Sequence, residues 1–480
     1  MENILTAIEK VNGILNGFIW GPYMLVFFLL VGGMFTIRTG FFQIMQIRHW
    51  MEVTLLNVFK DHRVLKTEDQ HSISQFQSLC TALAATIGTG NIAGAATAIA
   101  LGGPGAVFWM WLSAFLGMMT NYAENTLGIK YRYRNERGDW IGGAMIYMER
   151  GLHCKWLAVL FSVFCFLASF GIGNMTQANS IASGLWASFG VPVWVTAIFI
   201  MIFAALVIVG GIKRIASVTE KIVPFMAVFY IAGGLVVTGR NLGAVPQAFT
   251  LIFREAFNFQ AAGSGVLGYG IAVAMKRGIS RGVFSNEAGL GSSVMVHSAS
   301  DVEEPVVQGM WGVFEVFADT IVVCTITCLT ILTSGVYDMD AYLTSIAAGG
   351  EDAVVSGAEL TASAFATVIP HGDKFVAIAI MMFAFSTILG WSYYGERAVE
   401  YLFGIRGILP YKIFFVCVIF AGCTGSLSLV WDIADTLNGF MSVPNLIAVT
   451  LLSGEVVQMT KTYLEKKEGC KRSSSAEGGG

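Results

Sequence analysis

The sequence predicts an all-α polytopic membrane protein with eleven transmembrane helices. Three observations carry that prediction. Apolar residues make up 55% of the 480 and charged residues only 13%, against about 25% charged in an ordinary soluble domain. The apolar residues gather in runs of about 20, the length that crosses hydrocarbon as a helix. Basic residues collect in alternate loops between those runs. Mean hydropathy is +0.67, and 35 Phe outnumber 29 Lys plus Arg. Such a chain cannot cover a soluble surface, which excludes a cytosolic enzyme and a disordered protein. A net charge of −3 gives no field for nucleic-acid phosphate. The lipid bilayer is the expected partner, and no nucleic acid is.

The runs lie near 18–37, 76–101, 104–127, 156–186, 191–210, 215–238, 262–290, 307–333, 374–396, 411–429 and 433–457. Lys276, Arg277 and Arg281 interrupt the seventh. Loops on one side, with the tail, hold 25 of the 29 basic residues, these three among them. Lys10, Arg240, Arg254 and Lys374 fall on the other side. An odd number of spans preserves this partition, with the N-terminus outside and the C-terminus cytoplasmic. The acidic loop with Asp338, Asp340, Glu351, Asp352 and Glu359 then faces outward. Stretches 244–258 and 358–369 read as helices lying in the interface.

No basic n-region or small-residue cleavage site opens the chain, so the first run is expected to remain as an anchor. Most of the eight Cys sit in apolar runs, where Cys packs as a small hydrophobe. Neither a Cys-x-x-Cys nor a zinc spacing occurs. The segment from Lys466 is charged, then Ser- and Gly-rich, and reads as a disordered tail.

Two spans carry Gly-rich interruptions. The second contains Thr86-Ile87-Gly88-Thr89-Gly90-Asn91-Ile92-Ala93-Gly94. Gly lets a helix unwind and lets a ligand approach the backbone. Irregular backbone at membrane depth survives where it lines a cavity or is buried in protein. The alternative is a small-residue packing stripe, since Gly90 and Gly94 form a GxxxG. The seventh run contains Arg281-Gly282-Val283-Phe284-Ser285-Asn286-Glu287-Ala288-Gly289, which reads as a second break or as a loop after a short span. With the first span set aside, the two interrupted spans are the first and sixth of ten. Corresponding breaks in two halves of opposite orientation point to a transporter's midplane site. The expected organisation is an extra N-terminal helix (1–37), a cytoplasmic connection (38–74), two inverted halves (75–238 and 239–457) and a cytoplasmic tail (458–480).

These two stretches, with Phe170-Gly171-Ile172-Gly173-Asn174-Met175-Thr176-Gln177-Ala178-Asn179, resemble the alanine/glycine:cation symporter family from about Leu5 to Glu455. The resemblance implies a LeuT-like fold of five plus five inverted spans after one extra helix. It implies sodium-coupled import of alanine or glycine by alternating access across a bacterial or archaeal inner membrane. Sodium would be the coupling ion. No organic cofactor and no obligate protein partner is expected.

A small amino acid needs donors for its carboxylate, acceptors for its ammonium and a tight apolar wall. Thr89, Gly90 and Asn91 can supply backbone N–H groups, with the Thr89 hydroxyl as a further donor. Asn174 and Gln177 are three apart and share a helical face. The alternative for such a pair is hydrogen bonding between helices; the resemblance favours Gln177 as a ligand. Trp391 and Phe170 are candidate wall residues, although a Trp near a span end also suits an interfacial belt. Ser386 and Thr387 offer adjacent hydroxyls, as hard oxygen ligands for a cation, or as back-bonds to the preceding turn. A further resemblance, of the Thr86–Asn91 stretch to the broken first helix of neurotransmitter:sodium symporters, implies a sodium site. It would use the backbone oxygens of Ala84 and Ile87 with Ser386 and Thr387. Asn91 is a candidate ligand for a second ion.

Among ionisable residues inside spans, Asp319 lies deepest and is the candidate for ion or proton linkage, ahead of Glu124, Asp432 and Asp435. Glu287 reads as a cap on the next helix half. Rival classes have less support. A channel lacks a repeated filter motif, an intramembrane enzyme lacks a Ser/His, paired-Asp or zinc constellation, and an ATP-driven pump lacks a phosphate loop. Proton coupling or another small substrate remains open inside the transporter class.

Overall fold

A computed structural model describes residues 2–257, 268–339, 357–425 and 428–477. Helix dominates because a backbone in hydrocarbon must satisfy its own polar groups. α1 (Glu2–Ile19) and α2 (Pro22–Arg38) form one apolar unit from Thr6 to Arg38. α3 (Gln75–Thr86) opens on a capping box, in which Ser74 Oγ accepts from the Gln77 N–H and Gln77 Oε1 from the Ser74 N–H, both at 3.1 Å. A π turn at Gly90–Gly94 leads into α4 (Ala95–Gly102), bent 52° from α3. Then come α5 (Gly105–Tyr131), α6 (Lys155–Phe170), a π turn at Gly171–Met175 and α7 (Thr176–Phe189). α8 (Val193–Ile208), α9 (Gly211–Arg240) and α10 (Val245–Ala256) follow.

α11 (Gly268–Asn286) precedes a short helix at Val294–His297. α12 (Pro305–Val316) continues through a π segment, Phe317–Cys324, into α13 (Thr325–Thr333). The remaining helices are α14 (Gly357–Ala366), α15 (Gly372–Phe403), α16 (Ile408–Thr424), α17 (Ser428–Leu451) and α18 (Ser453–Glu477). Among the described residues, six helices are long and apolar enough to cross a membrane. Counting the bent pairs α3/α4 and α17/α18 as one span each gives eight. Exposed Phe199, Phe203, Leu206, Phe225, Val228 and Ile413 turn outward, whereas Asn121, Glu124, His297, Glu315 and Asp319 are buried. That inversion of a soluble protein's pattern suits lipid.

The basic loops share one face. Asp69 pairs with Arg134 at 2.6 Å, Lys130 with Glu455 at 2.8 Å, and Arg38 donates to Ser453 at 2.5 Å. The Ser72 hydroxyl, the His71 N–H and Arg134 hold the Asp69 carboxyl below the usual carboxylate range. Its contribution to stability is therefore present at neutral pH and lost on acidification. Two expectations are corrected. Arg277 and Arg281 belong to the opposite face: a Cβ at Gly102 would meet Arg277, and both guanidiniums lie within electrostatic reach of Asp435, which Asn16 of α1 holds at 3.1 Å. Charges on a helix that packs against α5 and α4 need no cytoplasmic loop. The expected disordered tail instead continues as α18. Tyr122 meets Thr460 at 2.7 Å and His49 meets Tyr463 at 3.0 Å, which gives this helix tertiary support. Of the acidic outward loop, Asp340, Glu351 and Asp352 lie outside the described residues, as do 262–267 of the seventh run.

A buried cluster ties α15 to α16. Arg397 lies 2.8 Å from Glu396 and 2.6 Å from Glu400, and Lys412 lies 2.9 Å from Glu396. Two anions and two cations balance there. Arg397→Ala leaves one carboxylate uncompensated in the interior, which costs about 3–5 kcal/mol. The expected outcome is a clearly lowered unfolding midpoint for the detergent-solubilised protein, measured by thermal denaturation.

Candidate functional site

The site starts from one diverted backbone hydrogen bond. In an unbroken α3 the Gly88 N–H would reach the Ala84 carbonyl. Instead it donates to Asn91 Oδ1 at 2.9 Å. The last helical bond runs from the Ile87 N–H to the Leu83 carbonyl, 2.8 Å, and Ile87 turns out of the helix at ψ 90°. The freed Ala84 carbonyl faces Ser386 Oγ at 3.3 Å. The second run is thus a broken helix.

Three other expected residues converge on Gly88. A Cβ there would lie 2.6 Å from Thr387 Oγ1 and 3.8 Å from Gln177 Oε1. Thr89 Oγ1 donates to Gln177 Oε1 at 3.2 Å, and Gln177 Nε2 is fixed on the Ile172 carbonyl at 3.0 Å. Ser386 and Thr387 also donate to the Phe383 carbonyl, at 2.8 and 3.0 Å. A hydroxyl that donates backward keeps its lone pairs for a cation, so the back-bond and the ligand role are compatible. Gly90 is closed from the other side by Phe284, whose ring would lie 3.4 Å from a Cβ at that position.

The second interruption is located by its backbone. α11 runs unbroken through Gly278 to Asn286. Glu287 then adopts φ 56°, Gly289 φ 92° and Gly291 φ 72°. A left-handed non-glycine residue is uncommon, and here Asn286 Oδ1 accepts the Ala288 N–H at 3.0 Å. Asn91 and Asn286 use the same device, an amide oxygen that satisfies a freed N–H. Both asparagines lean on neighbouring residues of the π segment after α12. Asn91 Nδ2 donates to Asp319 Oδ1 at 2.7 Å, and Asn286 Nδ2 to Thr320 Oγ1 at 3.0 Å. Asp319 Oδ2 also accepts from Ser285 at 2.9 Å and Thr320 at 2.7 Å.

Trp391 lies one turn from Thr387 on the same face of α15. Its Nε1 donates to Glu287 Oε1 at 2.9 Å, and its side chain fills the space a Cβ would need at Gly173. Glu287 also accepts from Ser292 at 2.5 Å. Phe170 and Asn174 are directed elsewhere. Phe170 packs on Tyr411, Phe414 and Phe415 with ring centroids 5.2–6.0 Å away, and Asn174 Nδ2 donates to the Phe415 carbonyl at 2.7 Å. The π turn just before Gln177 is the reason: its wider winding removes the three-residue face that the α-helical spacing implied. Residues the sequence reading passed over include Phe284, Ser285, Thr320 and Thr361. Thr361 of α14, expected in the interface, bonds the Ile92 carbonyl at 3.1 Å and covers the break. The Ser285–Asn286 pair inside a Gly-flanked run was the available signal.

Comparison with known proteins gives a consistent result. The sodium:alanine symporter family profile matches residues 5–477. The chain is 50% identical over 454 residues to the sodium/alanine symporter AgcS of Methanococcus maripaludis, covering 94% of this chain and 96% of that one. It is 37% identical to the "Probable sodium/glutamine symporter GlnT" of Bacillus subtilis, covering 98% and 92%. Among solved structures, MhsT in complex with L-phenylalanine aligns with a TM-score of 0.57 at 15% identity, over 82% of this chain and 93% of that one. That likeness is of fold, the LeuT-like arrangement. The chain is a multi-pass membrane transporter and not an enzyme, and it belongs to the sodium:alanine symporter family.

Proposed function

We propose that this protein imports alanine and glycine together with sodium by alternating access. One observation carries the reading: at Gly88 a freed carbonyl, two hydroxyls and an amide oxygen meet beside a broken helix. The coupling ion would be held by the Ala84 and Ile87 carbonyls with Ser386 and Thr387. The substrate carboxylate would take the N–H groups of Thr89 and Gly90, and that of Asn91 once it leaves the Gly88 carbonyl, 3.3 Å away. Its ammonium would use the free lone pair of Gln177 Oε1. Trp391 and Phe284 would close the space around a hydrogen or methyl side chain. In this reading Phe170 and Asn174 act by packing α6 and α7 against α16. Asp319 holds Asn91 and supplies the negative charge that favours a cation near the break. The eleven runs would all cross a bacterial or archaeal inner membrane, as one extra helix and two inverted halves of five. The N-terminus would lie outside and the C-terminus in the cytoplasm.

A second reading, proton coupling or a different small amino acid, is favoured by buried Asp319. The sodium/glutamine name of a 37% identical relative points the same way. Labelled alanine uptake into proteoliposomes separates the two. Accumulation above equilibrium under an inward sodium gradient, absent with potassium, supports the first. Accumulation driven by a proton gradient alone supports the second.

Three substitutions test the site. Each charge-assisted ligand contact is worth about 1.5–3 kcal/mol. Ser386→Ala with Thr387→Ala should therefore raise the sodium concentration for half-maximal uptake about tenfold or more. Gly88→Ala puts a methyl 2.6 Å from the Thr387 hydroxyl and should abolish alanine binding, read by calorimetry, in a protein that still elutes as folded. Trp391→Leu should raise the leucine-to-alanine uptake ratio, since a tight wall excludes by size.

A further inference from the structure

On the basic-loop face of the breaks, a buried polar group serves neither the proposed substrate nor the proposed ion. His297 ends the short helix at Val294–His297 and is fully buried. Its Nε2 lies 2.9 Å from Glu315 Oε2. Its Nδ1 lies 2.5 Å from Gln308 Nε2 and 3.3 Å from Ser78 Oγ. The tautomer follows from the network. Gln308 Oε1 lies 3.0 Å from Ser300 Oγ, whose proton is shared with the His297 carbonyl at 2.8 Å, and the amide nitrogen of Gln308 is the end that faces His297 and Ser78. Nδ1 therefore accepts, and the imidazole is neutral with its proton on Nε2, given to Glu315.

The group has unfilled capacity. Glu315 Oε2 also accepts from Asn121 of α5 at 3.0 Å, but Glu315 Oε1 is buried with no hydrogen-bond partner. Glu315 interacts electrostatically with Glu124 of α5, Glu287 after α11, Asp319 and Tyr394 of α15. Cys80 of α3 is two residues from Ser78. Arg132 donates to the Ser298 and Ser300 carbonyls at 2.9 and 2.6 Å, beside His297. Among the described residues, the contact of Glu315 with His297 is the one that Glu124, Glu287, Glu315 or Asp319 makes with a basic side chain. An imidazole amid buried carboxylates is suited to hold a second proton.

Its position gives that proton a consequence. Ser78 and Gln308 tie α3, the inner half of the first broken helix, to the segment at 297–300. Gln308 Nε2 donates to Ser78 Oγ at 2.9 Å. Next to it, Ile73 and Ser300 form a bridge, with the Ile73 N–H on the Ala299 carbonyl at 3.0 Å and the Asp301 N–H on the Ile73 carbonyl at 2.8 Å. Opening the cytoplasmic side requires these segments to part.

We propose that the His297–Glu315 pair is a proton-binding site, and that a proton taken there from cytoplasmic water releases the inner half of α3. A neutral imidazole accepts at Nδ1. An imidazolium donates from both nitrogens, so Nδ1–H then faces the Gln308 N–H, donor against donor, and the tie to Ser78 loosens. The added charge stays beside Glu315. The proton returns to water when the inner side closes, so the cycle needs no other reactant.

This inference rests on the carrier reading, and its test separates the two. The full-length protein is placed in liposomes with an inward sodium gradient and fixed external pH. Alanine uptake is measured with internal pH stepped between about 5.5 and 8. The rate should rise about three- to tenfold as internal pH falls, the span that one net hydrogen bond supplies. His297→Gln should flatten that profile. A wild-type rate indifferent to internal pH, or a profile that His297→Gln leaves intact, overturns the proposal. Absence of driven uptake at every pH would instead sink the carrier reading. Should His297→Gln fail to fold, Ser78→Ala keeps the imidazole and removes the tie. It should lift the rate at high internal pH toward the low-pH value, and an unchanged ratio overturns the proposal.

Discussion

The structure depends on a hydrogen bond that does not follow the helix. Because Asn91 takes the Gly88 N–H, the Ala84 carbonyl is released at the depth where Ser386 and Thr387 stand. A buried backbone group left unpaired would cost about 1–3 kcal/mol, so the break persists only where side chains replace the lost ladder. Here the Thr327 hydroxyl takes the Asn91 carbonyl at 2.8 Å and Thr361 takes that of Ile92. Three separate helices, α13, α14 and α15, thus hold the carbonyls of Asn91, Ile92 and Ala84. Their own sequences look unremarkable, since a lone Thr on an apolar helix has no local signature.

Buried charge is treated in two ways in this molecule. Where α15 ends and α16 begins, Glu396, Arg397, Glu400 and Lys412 balance one another. A neutral set of this kind fixes two helices in register and has little further chemistry to offer. Around the breaks, Glu315 meets the His297 imidazole, and Glu124, Glu287 and Asp319 meet no cation among the described residues. Their oxygens are held mostly by Asn, Ser and Trp donors. Neutral donors orient a carboxylate without cancelling its charge. A carboxyl group at membrane depth without a cationic partner is by default a functional candidate. The first arrangement is architectural, and the second is where the proposed transport chemistry would act.

The fold was largely legible because the bilayer imposes a length. A helix lies over each apolar run within the described residues, and the Gly88–Gly90 stretch marked the first break. The site was legible where chemistry is local: Thr89, Gln177, Ser386 and Thr387 do converge. It was not legible where geometry departs from the ideal helix. The π turn at Gly171–Met175 separates Asn174 from Gln177, although their spacing predicts a shared face. Arg277 and Arg281 read as loop residues because charge counts weigh basic residues by sequence position. Here α5 and α4 shelter the helix that carries them. The hub at Asp319 and Thr320 could not be found from spacing, because its partners come from residues 91, 285 and 286.

That hub also explains why two distant interruptions can act together. Asn91 and Asn286 hang from adjacent residues on one π segment, so their separation is set by a single stretch of backbone. A displacement of that stretch would therefore reach the chain at both Asn91 and Ala288. Coupling of this kind needs an element with two arrangements, and a π segment offers one, since it can reset toward an α-helical ladder by moving one residue. Glu287 extends the same linkage to Trp391, which stands one turn from Thr387. The hydroxyls and the wall of the proposed site and both broken helices therefore form one connected set. In the proposed reading, a cation settling beside Ala84 would alter the same contacts that define the space for the amino acid, which is the physical requirement for one to drive the other.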